Sequence, residues 1–79
     1  MTGFPPKPDL ELGAYQHYKG GMYEVTDLSC DEETREWRVT YVPLYDVEPG
    51  LPDKWNRLAN VFVEEIAIDG IKRKRFEKV

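Results

Sequence analysis

One cysteine and one histidine in 79 residues remove whole classes of chemistry. A lone cysteine closes no internal disulfide, and one Cys with one His cannot complete a four-ligand structural zinc site. No metal or cofactor is expected. No apolar run approaches the roughly 18 residues of a membrane-spanning helix, and the opening residues lack the basic-then-apolar order of a signal peptide, so the expectation is a cytoplasmic protein with no membrane partner. Gly20-Gly21 has neither the spacing nor the following helix of a phosphate-cradling loop, and the Asp-x-Asx-x-Asx-Gly order of a calcium loop is missing. Repeats and low-complexity tracts are absent, and no segment sustains an i, i+3, i+4, i+7 apolar stripe.

What remains is the texture of strands and turns. A chain of this length buries roughly 60% of its surface, enough for one core. Residues 1–12 carry Pro5, Pro6 and Pro8 beside Gly3 and show no apolar period, which predicts a flexible, extended arm. Residues 13–79 form the single domain: short stretches rich in Tyr, Val, Ile, Trp and Thr, separated by Gly, Pro, Asp and Asn. Residues 14–19 alternate and run into the Gly20-Gly21 turn. Residues 22–28 place Tyr23, Val25 and Asp27 on one face and Met22, Glu24, Thr26 and Leu28 on the other. An acidic hairpin loop over 29–36 leads into 37–44, apolar on both faces and therefore central in a sheet, with Pro43 ending its ladder. Pro49, Gly50 and Pro52 make 46–53 a surface loop. Residues 54–58 give a short strand with Trp55 and Arg57 on one face, and 59–63 form one helical turn. Residues 65–68 end at the Asp69-Gly70 hairpin turn, and 71–76 pair back on them. So many short strands in so short a chain predict an all-β fold, a small SH3-like barrel of about five strands with a one-turn helix.

Few residues can carry catalysis. His17 is the one side chain whose ordinary pKa lies near neutrality, so general-base chemistry would fall on it. Cys30 sits among Asp27, Asp31, Glu32 and Glu33, whose charge raises a thiol's pKa and disfavours a thiolate nucleophile. The same acidic residues with Glu36 read as a solvated hairpin tip. Ten aromatics, five of them tyrosines, exceed what one small core needs. Tyr15, Tyr18, Tyr45 and Trp55, with His17 and Arg57, make a candidate groove that stacks against a ligand. Charge is divided unevenly: six basic and fourteen acidic side chains occupy residues 1–70, and five basic and one acidic occupy residues 71–79. Lys72-Arg73-Lys74-Arg75 is thus a basic patch on an acidic body, and that body disfavours nucleic acid as a partner. Pro5-Pro6-Lys7-Pro8 has the spacing of a polyproline ligand, although an extended tail is the favoured reading of it.

The stretch Gly13-Ala14-Tyr15-Gln16-His17-Tyr18-Lys19-Gly20, followed by Tyr23-Glu24-Val25, resembles the opening of a family of short bacterial proteins catalogued as a domain of unknown function. Glu33-Thr34, Tyr41, Leu44-Tyr45, Trp55-Asn56-Arg57, Phe62, Ile68-Asp69-Gly70 and Arg75-Phe76 continue the resemblance in order. Leu58 and Lys74 stand where that family usually has proline, and the 46–53 loop is a few residues longer. The resemblance implies no catalytic role. It singles out Tyr15, His17, Tyr18, Lys19, Gly20, Tyr23, Tyr45, Trp55, Arg57 and Phe62.

The expected role is a non-catalytic interaction module that binds a peptide, a protein or a small ligand through Tyr15, His17, Tyr18, Tyr45, Trp55 and Arg57. Two other classes stay open. One is a small enzyme with His17 as general base, and the other a single-stranded nucleic-acid binder using the aromatics and the 72–75 patch.

Overall fold

The structure, a computed structural model, describes residues 3–79. Met1 and Thr2, the first residues of the expected arm, lie outside the described residues. Strands β1 (Gly13–His17) and β2 (Met22–Cys30) are antiparallel. Their connection closes through the His17 N–H, which donates to the Gly21 carbonyl at 2.8 Å, and the Gly20 N–H, which donates to the His17 carbonyl at 2.8 Å. Gly20 sits at φ 104°, a conformation that L side chains rarely adopt, which is why glycine serves at this bend.

β2 pairs with β3 (Trp37–Pro43), and a bulge interrupts the ladder: Val25 opposes Tyr41 and Asp27 opposes Thr40, leaving Thr26 as the extra residue. An extra residue flips every later side chain to the other face. The inward set is therefore Tyr23 and Val25 before the bulge and Leu28 and Cys30 after it. This corrects the strict alternation over 22–28, which placed Leu28 opposite to Val25. β2 also runs on to Cys30, because Ser29 and Cys30 pair with Arg38 and Trp37. The acidic loop is shorter than expected and has its own turn chemistry. The Asp31 carboxylate accepts the backbone N–H groups of Glu33 (2.9 Å) and Thr34 (3.0 Å), and Arg35 takes φ 62°.

β3 lies between β2 and β4 (Trp55–Leu58), as its two apolar faces predict, and Pro43 is its last paired residue. Helix α1 (Ala59–Phe62) follows directly as a single turn. β5 (Glu65–Ile68) and β6 (Ile71–Lys74) form a separate hairpin, turned by Asp69 at φ 51° and Gly70 at φ 77°. Pairing back ends at Lys74 rather than Phe76. At Arg75 the chain leaves this hairpin and joins the main sheet: the Arg75 N–H donates to the Glu64 carbonyl, and the Arg75 carbonyl accepts from the Tyr18 N–H, both at 3.0 Å. Phe76 is 4% exposed, and its burial draws β7 (Phe76–Lys78) onto β1.

The main sheet thus runs β4-β3-β2-β1-β7, with the one-turn helix after β4, beside the two-stranded β5-β6 sheet. The chain is mostly β, and the order is compatible with an SH3-like barrel whose end strands β4 and β7 do not pair. Phe62 of α1 takes up the gap. It stacks face to face on Phe76, with centroids 4.1 Å apart and planes inclined by 8°, and meets Tyr15 and Tyr41 at 5.3 and 5.6 Å. Val25, Val39 and Ala59 complete the buried core. Residues of the N-terminal segment lie along it: Leu10 packs against the core, and the Trp37 indole N–H donates to the Pro5 carbonyl at 2.9 Å. The accessible area of 5884 Å² exceeds the roughly 5,000 Å² of a compact chain of this mass. An open, thin fold explains the excess, since one principal extent is only 19 Å against 41 and 36 Å for the others.

Phe62→Ala removes the ring that fills the open side, and a buried Phe→Ala change costs roughly 3–5 kcal/mol. In urea unfolding it should lower stability by that order, whereas Val63→Ala, one residue on and exposed, should stay within about 0.5 kcal/mol of the parent. A second outcome concerns Asp31, whose carboxyl is held below its ordinary pKa by the backbone N–H groups of Thr34 and Glu33. A lowered folded-state pKa gives stability that is complete above the unfolded carboxyl's pKa and is lost as pH falls through the folded one. The gap in urea midpoint between the parent and Asp31→Ala should therefore be full at pH 7 and shrink through that acid window.

Candidate functional site

The inward-facing positions of neighbouring strands bring most of the predicted residues together. Tyr23 on β2 is the hub. Its ring lies 5.4 Å from Tyr41, 5.6 Å from Tyr45, 5.8 Å from Phe76, 6.1 Å from Trp55 and 6.4 Å from His17. The edge-to-face geometries that dominate this set are those favoured by the ring quadrupole. His17 also meets Phe76 at 4.8 Å. Arg57 on β4 lies with its guanidinium carbon 5.8 Å from the centre of the Phe76 ring and donates through Nε to the Tyr41 hydroxyl at 3.3 Å. His17 thus meets both Tyr23 and Phe76, Trp55 meets Tyr23, and Arg57 lies over Phe76.

Local bonds fix the rim of this cluster. The Trp55 indole N–H donates to the Pro52 carbonyl at 2.7 Å, which ties the 46–53 loop to the site. Tyr45 is 46% exposed and shares a 2.8 Å hydrogen bond with the Tyr23 hydroxyl. Burial, followed by that bond, pushes the Tyr23 phenol up to about 12, so it stays protonated at neutral pH. The terminal nitrogens of Arg57 have no hydrogen-bond or ion-pair partner among the described residues.

His17 has its Nδ1 occupied by the Lys19 N–H at 3.2 Å. Burial first, then the positive charges of Arg57, Arg75 and Lys19, hold its pKa below the ordinary imidazole value, so it is neutral at pH 7.

Tyr15 and Tyr18 stand apart from the cluster. The Tyr15 ring is 7% exposed and belongs to the core, with its hydroxyl donating to the Glu11 carbonyl at 2.7 Å, so its ring offers no stacking face. Tyr18 lies beyond the end of β1, 4.4 Å from the His17 ring and under the Lys19 ammonium at 5.7 Å. These two rings border a polar depression of about 180 Å³, lined also by Gln16, Gly20, Arg73, Lys74 and Glu77. The residues themselves did not point to Tyr41 and Phe76 beneath the cluster, and Tyr23 was singled out only by the resemblance. The usable signal was strand parity: Tyr23 shares a face with Val25, and Tyr41 with Val39, so both point to the side on which Trp55 and Arg57 converge. Among the described residues no cluster of His, Cys, Asp and Glu has the makings of a metal site, and no helix is long and apolar enough to cross a membrane.

Comparisons with known proteins agree with the resemblance read from the sequence. The model of the family described as "Protein of unknown function (DUF1653)" matches residues 13–78. A crystal structure of a DUF1653 protein from Bordetella bronchiseptica is similar to this chain at 34% sequence identity and a TM-score of 0.79, over 90% of this chain and 88% of that one. No curated protein matches the chain. With the family model spanning nearly the whole domain and a solved relative sharing its fold, the chain belongs to the DUF1653 family.

Proposed function

We propose that the chain is a non-catalytic interaction module that captures a carboxylate-bearing peptide or small ligand on the cluster around Tyr23, with Arg57 as the partner of the anion. The observation that carries this reading is the guanidinium itself. It is half-buried over Phe76, bonded only through Nε, and has no carboxylate beside it in a chain with fifteen of them. A partly desolvated guanidinium gains most from a planar, doubly accepting carboxylate. Tyr45 and Trp55 supply flat apolar area around Tyr23, with their polar atoms already satisfied by Tyr23 and Pro52. The enzymatic reading has less support: His17 has one ring nitrogen occupied, and no carboxylate is among the groups that shift its pKa. A general base needs an orienting partner of that kind.

Two outcomes test the proposal. In a proton NMR titration, His17 of the parent should titrate below the ordinary histidine value, and Arg57→Ala should move the midpoint up by removing a facing positive charge. Because the folded-state pKa is the lower one, His17 contributes stability that is complete above its unfolded pKa and is lost as pH falls through the folded one. An unchanged midpoint in Arg57→Ala would separate Arg57 from His17 and remove the positive field from the site. In the second test, benzoate should perturb the Trp55 indole and Tyr45 resonances saturably, and neutral benzamide should bind about tenfold more weakly or worse, as the loss of a charge-assisted bond requires. Arg57→Ala should abolish the preference with the urea midpoint little changed. Equal binding of the two probes, or unfolding of Arg57→Ala, would make the cluster a structural girdle.

A further inference from the structure

The depression between the β1-β2 turn and the β5-β6 hairpin brings Tyr18, Arg73 and Lys74, which the carboxylate reading does not use, beside His17. Arg73 and Lys74 line it, both exposed, and neither forms an ion pair among the described residues. Lys74 stands opposite Glu65 across the hairpin without closing a bridge. The tilted His17-Tyr18 ring pair borders the same space, with Lys19 over the Tyr18 ring. Arg75, next along the chain, is already neutralised by Glu64 at 2.9 Å, so the charge at this place comes from Arg73 and Lys74 in the lining and Lys19 over Tyr18, against Glu77 and Glu65.

The lining is polar, and the volume of about 180 Å³ falls below the roughly 300–1,000 Å³ of pockets that enclose a whole drug-sized ligand. It suits a compact anionic head group with the rest of the ligand lying over the surface. We propose that this depression is a phosphate-binding site for a phosphomonoester, with Arg73 and Lys74 taking the phosphate and the His17-Tyr18 pair flanking the group that carries it. A phosphomonoester carries about −1.5 to −2 charges at pH 7 with three strong acceptor oxygens, more than one carboxylate offers to two adjacent cations. The sequence placed the basic patch on the last nine residues, and the fold brings two of its members to the only histidine. The β5-β6 hairpin does this by lying outside the main sheet, with Arg75, the residue that follows it, held beside the end of β1 by the Tyr18 N–H bond to its carbonyl.

The test is a titration of the full chain at low ionic strength with inorganic phosphate and, separately, adenosine monophosphate, followed by amide and His17 ring resonances. Saturable shifts at Tyr18, Gly20, Arg73 and Lys74 with a dissociation constant of about 1 mM or tighter are expected. Arg73→Glu with Lys74→Glu should weaken binding at least about tenfold, whereas Lys7→Glu with Lys54→Glu, an equal change of net charge at exposed positions elsewhere, should not. Tighter binding of the monophosphate with added shifts at Tyr18 identifies a monoester as the ligand. Equal affinity identifies free phosphate, and both support the site. Shifts reproduced by chloride at equal ionic strength, or equal losses in the two double variants, would overturn it.

Discussion

The stack of Phe62 on Phe76 is the contact on which the rest of this small fold depends. The five-stranded sheet does not close on itself, so its two ends need a filler, and a one-turn helix is too short to be stable by its own hydrogen bonds. Phe62 anchors α1, and Phe76 anchors the last strand. Each ring buries the other, and both lean on Tyr41 from the central strand. Phe76 then does a second thing. Its remaining contacts are with His17 and Tyr23, and Arg57 lies over it. One face of the ring belongs to the core and the rest to the candidate site, so the closure of the sheet and the placement of the site are one packing event.

This sharing explains which parts were legible in the sequence. Turn chemistry was: Gly20-Gly21, Asp69-Gly70 and Pro43 act locally, and each ends or reverses its strand where its backbone preference requires. The helical turn after Leu58 was legible too, since Asn60 interrupts strand character while Phe62 still needs burial. The bulge at Thr26 was not, because it depends on the partner strand, and no residue near it carries the glycine signal that marks some bulges. Phe76 was misplaced for a related reason. Residues 71–75 look like one continuous strand, and only the competition between pairing with β5 and burial against Phe62 decides where the chain breaks. Of the residues expected at the site, Trp55, His17 and Tyr45 lie around Tyr23 and Arg57 lies over Phe76, positions that residue type alone suggested. Tyr15 lies in the core instead, because an alternating strand does not say how deep its inward face lies.

Electrostatics gives the local arrangement a meaning that the net charge of −4 hides. Among the described residues there is a single ion pair, between Arg75 and Glu64. The other cations near the site form no ion pair among the described residues, and Arg57 and Lys19 add to burial in holding the His17 pKa down. At physiological salt the Debye length is about 8 Å, so a small anion responds chiefly to the charges nearest it, which in the depression are Arg73, Lys74 and Glu77.

A polyanion is different. A nucleic-acid strand follows the surface over many charges and meets the carboxylates of the main body as well as the basic hairpin, so its gain at Arg73 and Lys74 is opposed along the rest of its length. A small anion meets only the local cations. The two anion sites proposed above would therefore select by size, with compact anions held by local cations and extended ones opposed by the carboxylates of the main body. The uneven division of charge, with five of eleven cations in the last nine residues, suits selection of that kind better than uniform affinity for negative charge.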